Sequence, residues 1–306
     1  MHTFRRTFHG EADLEAMSAL ARAYPAAHLH TIDLPYRFSS WALDDAANTA
    51  LWFTPDGRLV AWAVLQAPFW AVDHARQPDV DEGLGREVWA WADARARALA
   101  GTPGGRPAWF VNVFSGQQDL IRELEASGFT CQTNACEDSW SKVWMRRPAE
   151  LPAQCPVPTG HTIRPLAGEG EVAAYAELQR EVFGTQNMTA EWRSRTLRRP
   201  EYIPDLDLVA EAPGGRLAAF CVGWLDRHHP EGPAAQIEPM GVREEMRHLG
   251  LGRAILTETL KRLAQHGAGH IYVETDSYRD AALELYEAVG FRVIREVLVY
   301  RKEYEE

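Results

Sequence analysis

Arg247, Gly250 and Gly252 are spaced to hold an anion on backbone groups. The run Arg247-His248-Leu249-Gly250-Leu251-Gly252 follows the apolar stretch Ile237-Glu238-Pro239-Met240-Gly241-Val242, which reads as a buried strand, and a polar connection from Arg243 to Leu249. Beyond the glycines, Ile255, Leu256, Thr259, Leu260 and Leu263 recur at helical spacing, so a helix starts inside the glycine pair. A helix start leaves amide N–H groups without intrahelical acceptors and aims the positive end of the dipole outward. Glycines lacking a Cβ let phosphate oxygens approach those amides, and Arg247 and Arg253 add charge, so a diphosphate fits. The loop is neither a Walker loop, since no Gly-Lys-Ser/Thr follows, nor a GxGxxG fingerprint, since Ile255 stands three residues after Gly252.

The elements that must position such a loop occur twice in the chain. Phe4 to Phe8 followed by Gly10-Glu11-Ala12-Asp13-Leu14 parallels Thr162 to Leu166 followed by Gly168-Glu169-Gly170-Glu171-Val172, each a short strand entering a helix. Pro55-Asp56-Gly57-Arg58 before Leu59 to Val64 parallels Pro213-Gly214-Gly215-Arg216 before Leu217 to Val222, a turn signal leading into a hairpin strand. Gly83-Leu84-Gly85-Arg86 opens a helical stretch to Leu99, as Gly250-Leu251-Gly252-Arg253 opens one to Leu263. Trp109 to Val113 and a helix ending at Ser127-Gly128-Phe129 match Ile271 to Thr275 and a helix ending at Val289-Gly290-Phe291. Strands that meet first through a hairpin and later through a helical crossover predict a mixed sheet flanked by helices in each copy, an α+β fold. The prolines between Pro148 and Pro158 discourage helix and strand alike. They divide the chain into an N-terminal domain over 1–147, a linker over 148–160 and a second domain over 161–306.

Bulk properties narrow the partners. A net charge of −11 argues against non-specific nucleic-acid binding, which relies on a basic surface. No stretch approaches the ~20 apolar residues that span a bilayer, and Met1 to Arg6 runs into polar residues rather than a signal-peptide core. A cytoplasmic protein without membrane or nucleic-acid partners is expected. Cys131, Cys136, Cys155 and Cys221 lack paired CxxC spacing and read as reduced structural thiols, and His228-His229 reads as a loop; no metal is required.

With Arg three residues before the first glycine, after a strand, the loop closely resembles the R/Q-x-x-G-x-G/A motif of the GNAT acetyltransferase superfamily. The resemblance extends to Leu285-Tyr286-Glu287-Ala288-Val289-Gly290-Phe291, similar to the family's L-Y-x-x-x-G-F segment, and to Ile163-Arg164-Pro165-Leu166, similar to its first strand. The repeat makes the arrangement a tandem of GNAT-like units, each with a mixed, mostly antiparallel sheet. Asp276-Ser277-Tyr278-Arg279 departs from the asparagine common before the family's last helix, which puts the pantetheine contacts there in doubt.

The resemblance implies acetyl transfer from acetyl-CoA, as co-substrate, to a primary amine of a small molecule within a ternary complex. It implies cofactor contacts from Met240, Gly241, Val242 and the loop Arg247, His248, Leu249, Gly250, Leu251, Gly252 and Arg253. Tyr286 is the candidate acid for the departing thiolate, since a phenol with a pKa of about 10 stays protonated at neutral pH; its other reading is a tyrosine packed under the last strand. Glu238 is the candidate base, or else a strand charge facing solvent. Glu274, Asp276 and Tyr278 border the expected cleft and could bind a cationic substrate.

In the first copy the spacing sets Val80 at the place of Arg247, Ala71 at Glu238 and Leu124 at Tyr286, with Asp81 and Glu82 adding negative charge near the glycines. That copy is expected not to catalyse. It holds nine of the eleven tryptophans, read as core or as the lining of a substrate pocket. The alternative to an enzyme is a non-catalytic acyl-CoA-binding sensor, which would need the loop but neither Tyr286 nor Glu238.

Overall fold

The computed structural model describes residues 2–78, 82–133, 135 and 139–304, with Glu82 described for its backbone alone. The first half of the chain forms β1 (Phe4–Thr7), α1 (Glu11–Ala23), α2 (Leu34–Phe38), β2 (Thr49–Phe53), β3 (Leu59–Gln66), β4 (Ala71–Arg76), α3 (Glu82–Leu99), β5 (Ala108–Phe114), α4 (Gln118–Ala126), β6 (Thr130–Cys131) and β7 (Ser141–Pro148). The second half repeats the order as β8 (Thr162–Pro165), α5 (Val172–Phe183), α6 (Ala190–Leu197), β9 (Asp207–Glu211), β10 (Leu217–Asp226), β11 (Ala234–Val242), α7 (Leu251–Gln265), β12 (His270–Asp276), α8 (Asp280–Ala288) and β13 (Arg292–Glu303). Residues 149–161, which carry Pro152, Pro156 and Pro158, form neither helix nor strand, while Pro148 ends β7.

Local chemistry explains the repeated landmarks. Both hairpins turn on glycines with positive φ, Gly57 at 87° and Gly214 and Gly215 at 94° and 85°, and close through Thr54 N to Arg58 O and Ala212 N to Arg216 O, each at 2.9 Å. Both α4 and α8 end on a glycine of positive φ followed by a buried phenylalanine. Phe129 N donates to Leu124 O and Phe291 N to Tyr286 O, both at 3.0 Å, the bond that satisfies an orphan carbonyl at a helix end.

The chain gathers into two compact units. The first comprises Met1–Val143, Asp276–Tyr278 and Arg295–Glu306, and its sheet runs β1-β2-β3-β4-β5-β13. Among the described residues its pairings are antiparallel except β4 with β5. The last strand is integral to this unit: Val297 to Glu303 pair with Phe114 to Ala108, and Val297, Val299 and Tyr300 are buried. One face packs on α1 through Met17, Ala21, Phe38 and Trp62, the other on α3 through Trp52, Trp89 and Trp109. These four tryptophans are core, while Trp70 is 38% exposed.

The second unit comprises Trp144–Thr275 and Arg279–Ile294, with sheet order β7-β12-β11-β10-β9-β8. Here β11 and β12 are the parallel pair, and Trp144 on β7 stacks on Tyr272 of β12 at 5.3 Å between ring centroids. On one face Leu263 of α7 packs so closely over Gly223 that a Cβ there would meet it at 3.0 Å; on the other, Tyr175 and Phe183 of α5 pack on Phe220. Among the described residues no helix is long and apolar enough to cross a membrane.

Candidate active site

The second unit builds its site on β11. Cys221 opposes Met240 and Gly223 opposes Ile237, so the single residue Val222 faces two, Glu238 and Pro239. This is a β-bulge, and bulges re-aim side chains and end regular pairing beside functional sites. The carbonyl of Glu238 accepts the Trp224 indole N–H at 2.7 Å, which pins the bulge to the neighbouring strand. Pro239, which can donate no ladder bond, is the sequence signal for it; the partner Trp224 has no such signal.

Just before the bulge the two parallel strands part. Their register runs from Ala234 with His270 to Gln236 with Tyr272, and among the described residues it goes no further. From Ile237 to Val242, β11 keeps its partner β10 on one side only, so an extended ligand can reach its other edge. Gly241 is closely packed, since a Cβ there would lie 2.4 Å from Val182 and 2.9 Å from the Phe220 ring.

The loop after β11 is anchored by a residue the sequence pattern did not single out. Arg243 is 3% exposed; its N donates to Ala218 O at 2.9 Å and its Nε to Leu217 O at 2.7 Å, and it is ion-paired with Glu181. Glu244–Met246 then form a single 3-10 turn. Arg247, His248, Leu249 and Gly250 are exposed, and Arg247 Nε donates to Val242 O at 3.3 Å. His248 at φ 62° and Gly250 at φ 85° turn the chain into α7, whose N-cap is Gly250 itself. The first amides of α7 thus lead a helix whose first turn holds no acidic residue, and Arg253 is exposed beside them. Gly252 sits against the strand end: a Cβ there would meet Val242 at 3.2 Å, Leu285 at 3.8 Å and Met240 at 3.9 Å.

Tyr286 closes the arrangement from α8. Its hydroxyl lies 3.9 Å from Met240 Sδ, and its ring packs edge-on against Phe291 at 5.6 Å. Burial, with Cys221 and then Glu238 adding to it, raises the phenol well above its ordinary range, so it stays protonated. The structure therefore brings together Tyr286, Met240, Val242 and the glycines, with half-buried Glu238 on the same strand. The other three candidates fall in different surroundings. Glu274 belongs to the second unit, whereas Asp276 and Tyr278 belong to the first. There Asp276 accepts the Trp140 indole N–H at 2.9 Å and is ion-paired with Lys142 at 3.5 Å, while Tyr278 is 60% exposed.

Strand register changes one correspondence between the copies. The extra residue of the bulge breaks simple counting: Asp73, which opposes Val64, takes the place of the Glu238–Pro239 pair that opposes Val222, rather than Ala71. Asp73 is buried and bound to Arg37 through two hydrogen bonds of 2.7 Å. Leu124 does occupy the place of Tyr286, as their identical helix ends show. Val80, Asp81 and the side chain of Glu82 lie outside the described residues, as does Cys136; Cys131, Cys155 and Cys221 are free thiols. Among the described residues no group of three or more His, Cys, Asp or Glu is placed to hold a metal ion.

Comparison with known proteins gives the family and the fold. Residues 133–291 match the model of the acetyltransferase (GNAT) family. A mycothiol acetyltransferase from Thermobispora bispora is 29% identical over 167 residues, covering 52% of this chain and 56% of that protein. One from Acidimicrobium ferrooxidans is 33% identical over 200 residues, 61% of this chain and 60% of that protein. The matches thus span little more than half the length of these relatives. Among solved structures, a tandem GNAT protein from the clavulanic acid biosynthesis pathway superposes with a TM-score of 0.68 at 15% identity, covering 100% of this chain and 99% of that one. A GCN5-related N-acetyltransferase from Sphaerobacter thermophilus does so with a TM-score of 0.64 at 21% identity, covering 98% and 95%. At these identities the structures speak for the fold, and the family model, which covers over half of the chain, speaks for descent: this chain belongs to the GNAT acetyltransferase family.

Proposed function

We propose that the protein is an acetyl-CoA-dependent N-acetyltransferase, that residues 161–306 carry the reaction, that 1–147 do not catalyse, and that 148–160 link the two. The acceptor is a primary amine of a small molecule. The observation that carries this reading is the Tyr286 hydroxyl beside Met240, where a bulged strand loses its parallel neighbour and leads into the glycine loop. The family membership and the naming of the relatives as mycothiol acetyltransferases support acetyl transfer to a small molecule.

In this reading the amides of Leu251, Gly252 and Arg253 hold the pyrophosphate, with Arg247 supplying charge and His248, Leu249 and Gly250 shaping the approach. The one-sided edge of β11 takes the pantetheine arm, and backbone N–H groups of Met240, Gly241 and Val242 stabilise the oxyanion. An alkyl amine with a pKa of about 10 is only ~0.1% neutral at pH 7, so Glu238 accepts its proton through a water. The neutral amine attacks the thioester carbon, the C–S bond breaks as the thiolate takes the proton of Tyr286, and the nitrogen gives its second proton to solvent, which reprotonates Tyr286. Glu274 is proposed to bind a cationic acceptor. The proposed location is the cytoplasm, where acetyl-CoA is available.

The test is calorimetry with acetyl-CoA followed by thiol release across a panel of small-molecule amines. The expected result is binding, and amine-dependent CoA release with an N-acetylated product seen by mass spectrometry. Absence of acetyl-CoA binding contradicts the reading; tight binding without release by any amine favours an acyl-CoA sensor.

A further inference from the structure

The first unit contains a cavity that acetyl transfer in the second does not use. It has a volume of about 260 Å³ and is lined by His28, His74, Arg76, Gln117 and Leu120, among others. A recess of about 30 Å³ shares His28 and His74 with it and reaches Asn112, Asp73 and Trp62, so Asn112 is open to one hydroxyl of a ligand seated in the larger cavity. The recess lies where β4 and β5 part, since among the described residues their parallel register holds only at Ala71 with Phe110. A volume slightly below the usual ~300–1,000 Å³ of ligand pockets suits a molecule smaller than a typical drug.

The polar atoms in it define the chemistry. His28 is 6% exposed, and its Nε2 lies 3.0 Å from the carbonyl oxygen of Arg76. A carbonyl only accepts, so Nε2 carries the proton and Nδ1 is a bare acceptor. That Nδ1 is buried without a hydrogen-bond partner among the described residues, and so is Asn112 Oδ1. Gln117, by contrast, is satisfied: its Nε2 donates to Ala27 O and its Oε1 accepts from Phe114 N. Two buried acceptors without donors cost free energy that a donor-bearing ligand recovers.

Among the described residues the charges around the cavity are paired, which favours a neutral ligand. Arg76 is paired with Glu123 at 2.6 Å, Asp73 with Arg37 at 2.7 Å, and Asp119 with Arg122. Burial first, with Arg76 nearby, pushes His28 down to about 4, and burial, then His28 and Arg76, push His74 down to about 3, so both rings are neutral near pH 7. A charged ligand there would find no unpaired countercharge among the described residues.

We propose that this cavity is a binding site for an uncharged, hydroxyl-rich small molecule, a polyol or monosaccharide, held by hydroxyl donors on His28 Nδ1 and Asn112 Oδ1. The test is saturation-transfer NMR and titration of the full chain with glycerol, xylitol and D-glucose, beside gluconate and glucosamine as charged counterparts. The neutral probes are expected to bind, and Asn112→Val to weaken them at least tenfold with an unchanged melting temperature. His28→Phe is expected to do the same, and Asn112→Val, a strand-compatible change, keeps the test open should His28→Phe fold poorly. Tyr286→Phe should bind the probes as wild type, which separates this site from acetyl transfer. Failure of every neutral probe, equal binding of the charged ones, or unchanged binding in Asn112→Val overturns the proposal.

Discussion

Three glycines and a tyrosine show how residue-level chemistry divides between what a sequence displays and what only packing reveals. Gly250 and Gly252 are legible because their spacing after Arg247 is itself the signal, and the structure puts them at the start of α7 as read. Gly241 is not legible: its constraint comes from Val182 and Phe220, which are distant in sequence and meet only in the folded unit. Gly241→Ala is therefore expected to destabilise by about 1–3 kcal/mol, the usual cost of overpacking, measured by urea denaturation. Tyr286→Phe is expected to change stability by less than about 1 kcal/mol, because among the described residues the hydroxyl's hydrogen-bond partner is a weakly accepting thioether at 3.9 Å. A large loss of stability there would assign the hydroxyl to the core instead.

At the scale of elements, the hairpins and helix ends followed from turn chemistry, and the bulge did not, since which residue opposes which is set by pairing across strands. That is why counting along the chain matched Glu238 to Ala71 and register matched it to Asp73. The docking of α6 on β9 was equally hidden. Arg193 and Asp207, both fully buried, form an ion pair, Tyr202 donates to the same carboxylate at 2.6 Å, and the guanidinium lies 3.6 Å over the Tyr175 ring. Asp207→Ala is expected to cost about 3–5 kcal/mol by stranding the buried arginine, read as a lowered denaturation midpoint. The two cavity histidines carry a pH dependence. Unfolded imidazoles titrate near 6.5 while His28 and His74 are held down to about 4 and 3, so the unfolded chain binds more protons in between. Their contribution to stability is complete above pH 6.5 and is lost as pH falls toward 4, at up to about 1.4 kcal/mol per pH unit for each. A His28→Gln variant should show a shallower decline over that range; an identical slope would mean the ring is not held neutral.

For the whole molecule, the repeat was the most legible property, because insertions move its landmarks by only a few residues. Which residues join which unit was not, since a final strand carries no address: Arg295–Glu306 join the first unit and Trp144–Thr275 the second. Deleting residues 295–306 is expected to unfold the first unit, since Val297, Val299, Tyr300 and Tyr304 fill its core, and tryptophan fluorescence would report it. Retention of the native emission would show β13 to be dispensable.

Assignment of the chemistry to the second copy rests on Tyr286 having Leu124 as its counterpart, and single-turnover CoA release tests it most directly. With an accepted amine, the account predicts that Tyr286→Phe binds acetyl-CoA as wild type does and releases CoA about 100-fold or more slowly, within the usual range for loss of a general acid. Release at the wild-type rate with unchanged binding would contradict it.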